Sequence, residues 1–314
     1  MDKILILQGG YNEEHEVSIN TAKQVAKSLS KLGIYFKILT VNPASFKQDI
    51  KKYSKNYICF NALHGTFGED GTIQNIIKKN KFRITHSGVN ASYNCFNKLK
   101  SKKIVNNFKI LTPLYEYVIC KKININYLDK IKNKFKKFVI KPVFSGSSYG
   151  LKIIKSKNDL NNLYKELNSL KNKFNEDEIF IIEKYVSGKE LTVSILENES
   201  VLQPLEVTEI VSLNKLYDYE AKYKKGFSIH YLPARISKRN YKKCLSLALK
   251  IHKIFKCKTL SRVDFILNEK QNKVYFLEIN SQPGMTKLSL LPEQANFKKI
   301  KFENIILNLI NNAS

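Results

Sequence analysis

The chain has 314 residues, 43% of them hydrophobic, which is enough for two or three cored domains and too apolar for a disordered protein. Its formal charge of +27 invites a polyanionic partner, but only Arg83, Arg235, Arg239 and Arg262 of its 54 basic residues are arginines, and the lysines are scattered. Base reading favours arginine and no nucleic-acid motif is found, so a nucleic-acid role is disfavoured; the excess charge can still concentrate an anionic ligand such as a nucleotide. In chain order, Ile4–Leu7 reads as a buried first strand, too short for a signal peptide or membrane span, ending at Gly9-Gly10. A helical pattern follows through Val17, Ile19, Ala22, Val25, Ala26 and Leu29, opened by Glu16, where the helix dipole favours a carboxylate. Strands near Phe36–Val41 and Tyr57–Asn61 make this the start of an open α/β sheet. His64–Gly71 is a loop with three glycines at a strand's carboxyl end; it either faces a ligand or caps the helix expected over Thr72–Lys79.

A new unit begins after Ser87-Gly88. Phe138–Pro142 reads as a strand with Lys141 near its end, followed by the Gly/Ser-rich segment Val143–Gly150 and a strand over Leu151–Ile154. Backbone N–H groups and hydroxyls of such a hairpin can close over phosphates, although it is not a Walker loop. Ile179–Val186 is an apolar strand broken by Ser187-Gly188, and another strand starts at Lys189. Val207–Ser228 lacks clear periodicity and is expected as a long loop, a candidate lid. Phe302–Ile310 is an amphipathic helix. Cys59, Cys95, Cys120, Cys244 and Cys257 form no Cys-x-x-Cys pair, so neither a zinc site nor a disulfide framework is indicated, and a reducing cytosol fits.

The most informative stretch is Ser261–Phe265 with Phe276–Asn280, two apolar runs joined by the polar turn Asn268–Asn272. Glu278 and Asn280 are two apart and leave a strand on one face. Hairpin pairing can bring Asp264 beside them, and three hard oxygen donors in an apolar sheet suit Mg²⁺.

Taken together and in order, these motifs resemble the D-alanine–D-alanine ligase family of the ATP-grasp superfamily. They are Gly9-Gly10 with Glu13–Ser18, Ala62–Gly65 with Gly68–Gly71, Asn97-Lys98-Leu99, Lys141-Pro142 with Gly146-Ser147-Ser148, Glu183-Lys184 with Glu190, Tyr217–Tyr223, Arg262 with Asp264, Glu278 with Asn280, and Pro283–Thr286. The resemblance covers almost the whole chain. It implies an α/β, three-domain ATP-grasp architecture: an N-terminal open-sheet substrate domain (1–87), a central domain (88–182) and a C-terminal catalytic domain (183–314), the last two gripping ATP.

The implied activity is ATP-dependent joining of two D-alanines through an acyl phosphate for peptidoglycan precursors, by a cytoplasmic homodimer with no membrane or nucleic-acid partner. The implied ATP-binding residues are Lys98, Lys141, Gly146, Ser148, Glu183, Lys184, Tyr185, Val186, Glu190 and Lys222. Two Mg²⁺ or Mn²⁺ ions per site would be held by Asp264, Glu278 and Asn280. Glu16 would bind the ammonium of the first D-alanine, with Ser147 and Tyr223 bonded to it. Arg262 and the Gly284 N–H would stabilise the oxyanion, and His64, Ser289 and Leu290 would contact substrate. Asn97, Ser145, Gln282 and Leu288 depart from the family's usual residues without removing a metal ligand, a phosphate lysine or the oxyanion arginine. A D-alanine–D-serine ligase and another ATP-grasp carboxylate–amine ligase are the alternatives, whereas the Tyr217–Tyr223 motif argues against D-lactate.

Overall fold

The computed structural model describes residues 3–198, 201–212, 227–286 and 288–314. Three sheets follow one another along the chain. The first contains β1 (Lys3–Gly9), β2 (Phe36–Val41), β3 (Tyr57–Asn61) and β4 (Arg83–Ile84), parallel in the order β2-β1-β3-β4. Ile4, Leu5, Ile6 and Leu7 are all buried, as the continuous apolar run of a parallel strand requires. The helix His15–Lys31 buries Val17, Ala22, Val25 and Leu29.

The second sheet is antiparallel: β5 (Tyr115–Ile119), β6 (Phe138–Pro142), β7 (Lys152–Ile154) and β8 (Ile179–Lys184) in the order β5-β8-β6-β7. Its core, which includes Val118, Leu128, Phe138, Leu163 and Phe180, draws only on residues 118–182. The third sheet, also antiparallel, runs β11-β10-β9-β12-β13, from β9 (Lys189–Asn198), β10 (Val201–Ser212), β11 (Ser228–Tyr231), β12 (Leu260–Asn268) and β13 (Lys273–Asn280).

One expectation needs correction here. Residues 207–212, expected as the start of a loop, belong to β10. Thr208 and Glu209 are buried among apolar neighbours, so strand alternation is hidden; Gln294 donates to Thr208 at 2.9 Å and Arg235 to Glu209 at 2.8 Å. Residues 213–226, which include Lys222 and Tyr223, lie outside the described residues. The helices Val89–Phe96 and Lys98–Asn107 bury Cys95 and Val105 in the core of the third sheet, while β8 continues to Lys184.

The outer two units share a core. Ile4, Ile6, Val25 and Leu29 pack in one cluster with Leu196, Leu205, Leu291, Ile305 and Leu309. The central sheet is therefore the separately cored body, reached through residues 97–114 on one side and 184–189 on the other. Among the described residues no helix is long and apolar enough to cross a membrane.

Candidate active site

A cavity of about 610 Å³ opens where the three units meet, within the usual size of a small-molecule site. Glu14 and His64 line it from the first unit, Lys141 and Ser147 from the second, and Glu190, Asp264 and Glu278 from the third.

The β12–β13 hairpin builds its floor. Arg262 lies opposite Asn280 and Asp264 opposite Glu278. The register then shifts, because Phe265 pairs with Phe276 and Leu277 is an extra residue. Val274 and Phe276 face the core; without the bulge, alternation would turn Glu278 the same way. One inserted residue reverses the phase, so Ile279 packs in the core of the third sheet while Glu278 and Asn280 stay half-buried at the cavity.

Asp264 is held by three hydrogen bonds from two side chains. Thr192, across on β9, donates to Oδ1 at 2.5 Å. Arg262 donates through Nε to Oδ1 at 2.9 Å and through Nη2 to Oδ2 at 2.8 Å. A carboxylate has about four acceptor positions, so these described bonds leave Oδ2 able to face a cation while Arg262 stays in place. Asp264, Glu278 and Asn280 thus form an all-oxygen set on adjacent strands, the chemistry a hard divalent ion takes. One donor is an amide, and among the described residues no group of three His, Cys, Asp or Glu is placed to hold a metal.

Buried lysines form the next layer. Lys141 Nζ lies 3.2 Å from Glu183 Oε2, and Lys102 Nζ 2.7 Å from Glu183 Oε1. Burial alone would push the Glu183 carboxyl up, but the two ammonium groups outweigh it and hold it below the ordinary range. Burial likewise opposes the charge on Lys141, yet the carboxylates of Glu183, Glu278 and Glu190 hold its pKa above the usual lysine value. For Lys102 burial wins, and its pKa falls despite Glu183. Lys98 Nζ donates to the Ser145 carbonyl at the root of the β6–β7 loop.

At the opposite edge the carboxylate is Glu14, not Glu16. Glu16 stands exposed in the first turn of the helix His15–Lys31, outside the cavity. Glu14, one residue before that helix, is 4% exposed and accepts a hydrogen bond from Ser147 Oγ. The glycine-rich loops are cut to its shape. A Cβ at Gly65 (φ +70°) would lie 2.7 Å from Glu14 Oε2, and one at Gly146 only 2.0 Å from it. Ser147 and Ser148 both adopt positive φ, 44° and 61°, a strained conformation for non-glycine residues that is commonest at functional loops. His64 is buried between Thr21 Oγ1 at 2.9 Å and Glu69 Oε1 at 3.0 Å. Burial disfavours its charged form, but Glu69 more than offsets this and raises its pKa.

The remaining expected residues fall as follows. Lys184, Tyr185, Val186, Glu190, Gly284 and Leu290 line the same cavity, as do Lys98, Gly146 and Ser148. Ser289 sits behind Gly284; its Oγ accepts from the Thr286 N–H at 3.1 Å and pairs with Thr286 Oγ1 at 2.9 Å. Gln282 occupies a joint between units, accepting from Asn61 Nδ2 at 2.8 Å and donating to the Leu63 carbonyl at 2.5 Å. Sequence reasoning missed Glu14, Lys102 and Thr192. Helical spacing could have found the first: positions 14, 18, 21 and 25 form the buried stripe, whereas 16, 20, 23 and 27 form the exposed one.

A family model described as the D-ala D-ala ligase C-terminus matches residues 104–311. The D-alanine–D-alanine ligase of Pelagibacter ubique (strain HTCC1062) is 42% identical over 315 residues, covering 99% of this chain and 98% of that protein. That of Wolbachia pipientis wMel is 40% identical over 311 residues, covering 98% and 93%. The solved D-alanine–D-alanine ligase of Bacillus anthracis complexed with ATP superposes with a TM-score of 0.78 at 26% identity, covering 99% of this chain and 97% of that one. The three-sheet architecture is the ATP-grasp fold of these ligases. On sequence and on fold alike, the chain belongs to the D-alanine–D-alanine ligase family.

Proposed function

We propose that this chain joins two molecules of D-alanine, at the cost of one ATP, to supply peptidoglycan precursors, and that it works in the cytoplasm as a homodimer. The observation that carries the reading is one cavity bordered by Lys98 and Lys141, by Asp264, Glu278 and Asn280, and by Glu14 with Ser147. The γ-phosphoryl group of ATP passes to the carboxylate of the first D-alanine, giving an acyl phosphate and ADP. The amine of the second attacks that carbonyl and expels phosphate. Lys98 and Lys141 hold nucleotide phosphates as point charges. Glu183, the strand end at Lys184, Tyr185 and Val186, and Glu190 receive the base and sugar, with Lys222 at the phosphates. Asp264, Glu278 and Asn280 suit Mg²⁺ or Mn²⁺, two ions per site, which when bound would neutralise the transferring phosphoryl group.

Glu14, in place of Glu16, takes the ammonium of the first D-alanine. Its bond to Ser147 couples substrate to the loop that covers ATP, and Tyr223 would join the same carboxylate. His64 and Leu290 shape the substrate walls, with Ser289 behind them. Arg262 and the Gly284 N–H stabilise the oxyanion of the second step. Acyl phosphates hydrolyse readily, so closing the loop also excludes water.

Phosphate release measured with ATP and Mg²⁺ is expected with D-alanine and not with L-alanine. Equal turnover of the two would overturn the substrate assignment, and faster turnover of D-alanine paired with D-serine would favour the serine-using alternative.

A further inference from the structure

Lys102 lies one helical turn beyond Lys98 and has no exposed surface. A lysine so buried persists only when its charge and donors are matched. Three acceptors surround its Nζ: Glu183 Oε1 at 2.7 Å, Thr112 Oγ1 at 2.8 Å and the Leu277 carbonyl at 3.4 Å. Glu183 Oε1 reaches it as an ion pair, and the other two contacts are hydrogen bonds donated by Nζ.

The acceptors belong to different bodies. Glu183 sits on β8 of the separately cored central sheet and also holds Lys141. Leu277 is the inserted residue of the β13 bulge, the feature that aims Glu278 and Asn280 into the cavity. Thr112 accepts from Lys102 and donates to the Phe276 carbonyl at 2.9 Å, so one linked pair of side chains holds both carbonyls of the bulge. Lys102 itself rides on a helix packed into the core of the third sheet through Val105.

We propose that Lys102 is a positioning residue for nucleotide and divalent-ion binding: its ammonium fixes Glu183, and through it Lys141, in register with the Leu277 bulge that aims Glu278. The proposal rests on the ATP-dependent reading above. A purely structural ion pair would affect melting alone, because a methionine of similar length fills the same volume. A positioning role also predicts weaker nucleotide binding and a higher Mg²⁺ requirement.

The test uses Lys102→Met, Lys102→Arg and the double variant Lys102→Met/Glu183→Gln, the last removing the carboxylate that the first leaves short of a partner. Mg²⁺–ADP binding is measured by calorimetric titration, alongside thermal melting and the KM values for ATP and D-alanine. Lys102→Met is expected to weaken Mg²⁺–ADP binding and raise the KM for ATP by roughly 10- to 100-fold, the usual cost of losing a residue that orients a ligand-holding group. The KM for D-alanine should move far less, and Lys102→Arg should recover part of the nucleotide affinity. The double variant should regain melting temperature but not nucleotide affinity. Nucleotide binding and Mg²⁺ requirement unchanged in both methionine variants would overturn the proposal. Should Lys102→Met not fold, Lys102→Gln, which keeps a donor for Thr112 and removes the charge, is titrated in its place, and unchanged Mg²⁺–ADP binding there overturns the proposal. If the unaltered chain releases no phosphate with D-alanine, the ligase reading fails, and the Mg²⁺–ADP titration still decides the role of Lys102.

Discussion

Glu14 and Glu16 are separated by one residue and by the start of a helix, and that small offset decides which carboxylate can meet an ammonium. Glu14 is buried beside Gly65, Gly146 and Ser147, where few waters compete for its charge. Glu16 is exposed and contributes only a first-turn charge to the helix dipole. Glu14→Gln is therefore expected to lower D-alanine-dependent phosphate release by roughly 100-fold, as for other lost orienting contacts, and Glu16→Gln to change it within about twofold. Comparable loss in both, or a larger loss in Glu16→Gln, would remove Glu14 from the site. Arg262→Ala should cost roughly 100-fold or more in turnover, because it would remove the proposed oxyanion donor and releases Asp264 from its paired hydrogen bonds; near-normal turnover would contradict that role. The buried placement of Glu14 is legible in the sequence, since the apolar face of the first helix extends back to 14 and not to 16. Lys102 was harder to see. In a chain whose 54 basic residues are nearly all lysines, one buried lysine inside Lys98-Leu99-Lys100-Ser101-Lys102-Lys103 resembles its solvated neighbours.

Two local irregularities turn ordinary elements into a site. Apolar composition and the polar turn made the β12–β13 hairpin legible, but the pairing of Asp264 with Glu278 depends on the Leu277 bulge. A bulge leaves no compositional mark, because its position is set by the capping of its carbonyls from Lys102 and Thr112. β10 was hidden for a related reason: its buried Thr208 and Glu209 are polar residues satisfied from distant helices and loops, which local patterning cannot register. The Gly/Ser loop between β6 and β7 was legible as a flexible hairpin, while its docking onto Glu14 is a tertiary fact. That docking gives a sharp steric prediction. Gly146→Ala would place a methyl 2.0 Å from Glu14 Oε2, so either the loop withdraws or the Glu14 carboxylate turns away, and both break its bond to Ser147. Turnover should fall by about 100-fold, since displacement of about 1 Å at a reacting centre has that effect. The melting temperature should change little, because none of the buried residues of the central core comes from the loop. Full activity in Gly146→Ala would show that the loop does not work in this docked position.

At the scale of the molecule, the outer units share one hydrophobic core and the central sheet keeps its own. Polar contacts therefore carry much of the coupling to the central body, and the buried Lys102–Glu183–Lys141 set is the best shielded of them. The sign of its pH dependence follows from Glu183. Burial raises its carboxyl pKa, the two lysines lower it further, and the net folded value lies below the ordinary 4.5. A depressed carboxylate contributes stability that is present above the unfolded value and is lost as pH falls through the folded one. His64 has the opposite sign: its raised pKa contributes stability below 6.5 that is lost as pH climbs through its folded value. Acid should thus loosen the central body first, while a rise in pH above 6.5 should loosen the His64 loop of the first unit. Calorimetric scans are expected to show one cooperative transition near neutral pH and a separate earlier transition below about pH 4.5, as Glu183 takes up its proton and the central core comes uncoupled. In Glu183→Gln the separate transition should already be present near neutral pH. A single transition that persists to the acid limit in both proteins would mean that apolar contacts, and not the buried lysine–glutamate set, bind the central sheet to the rest.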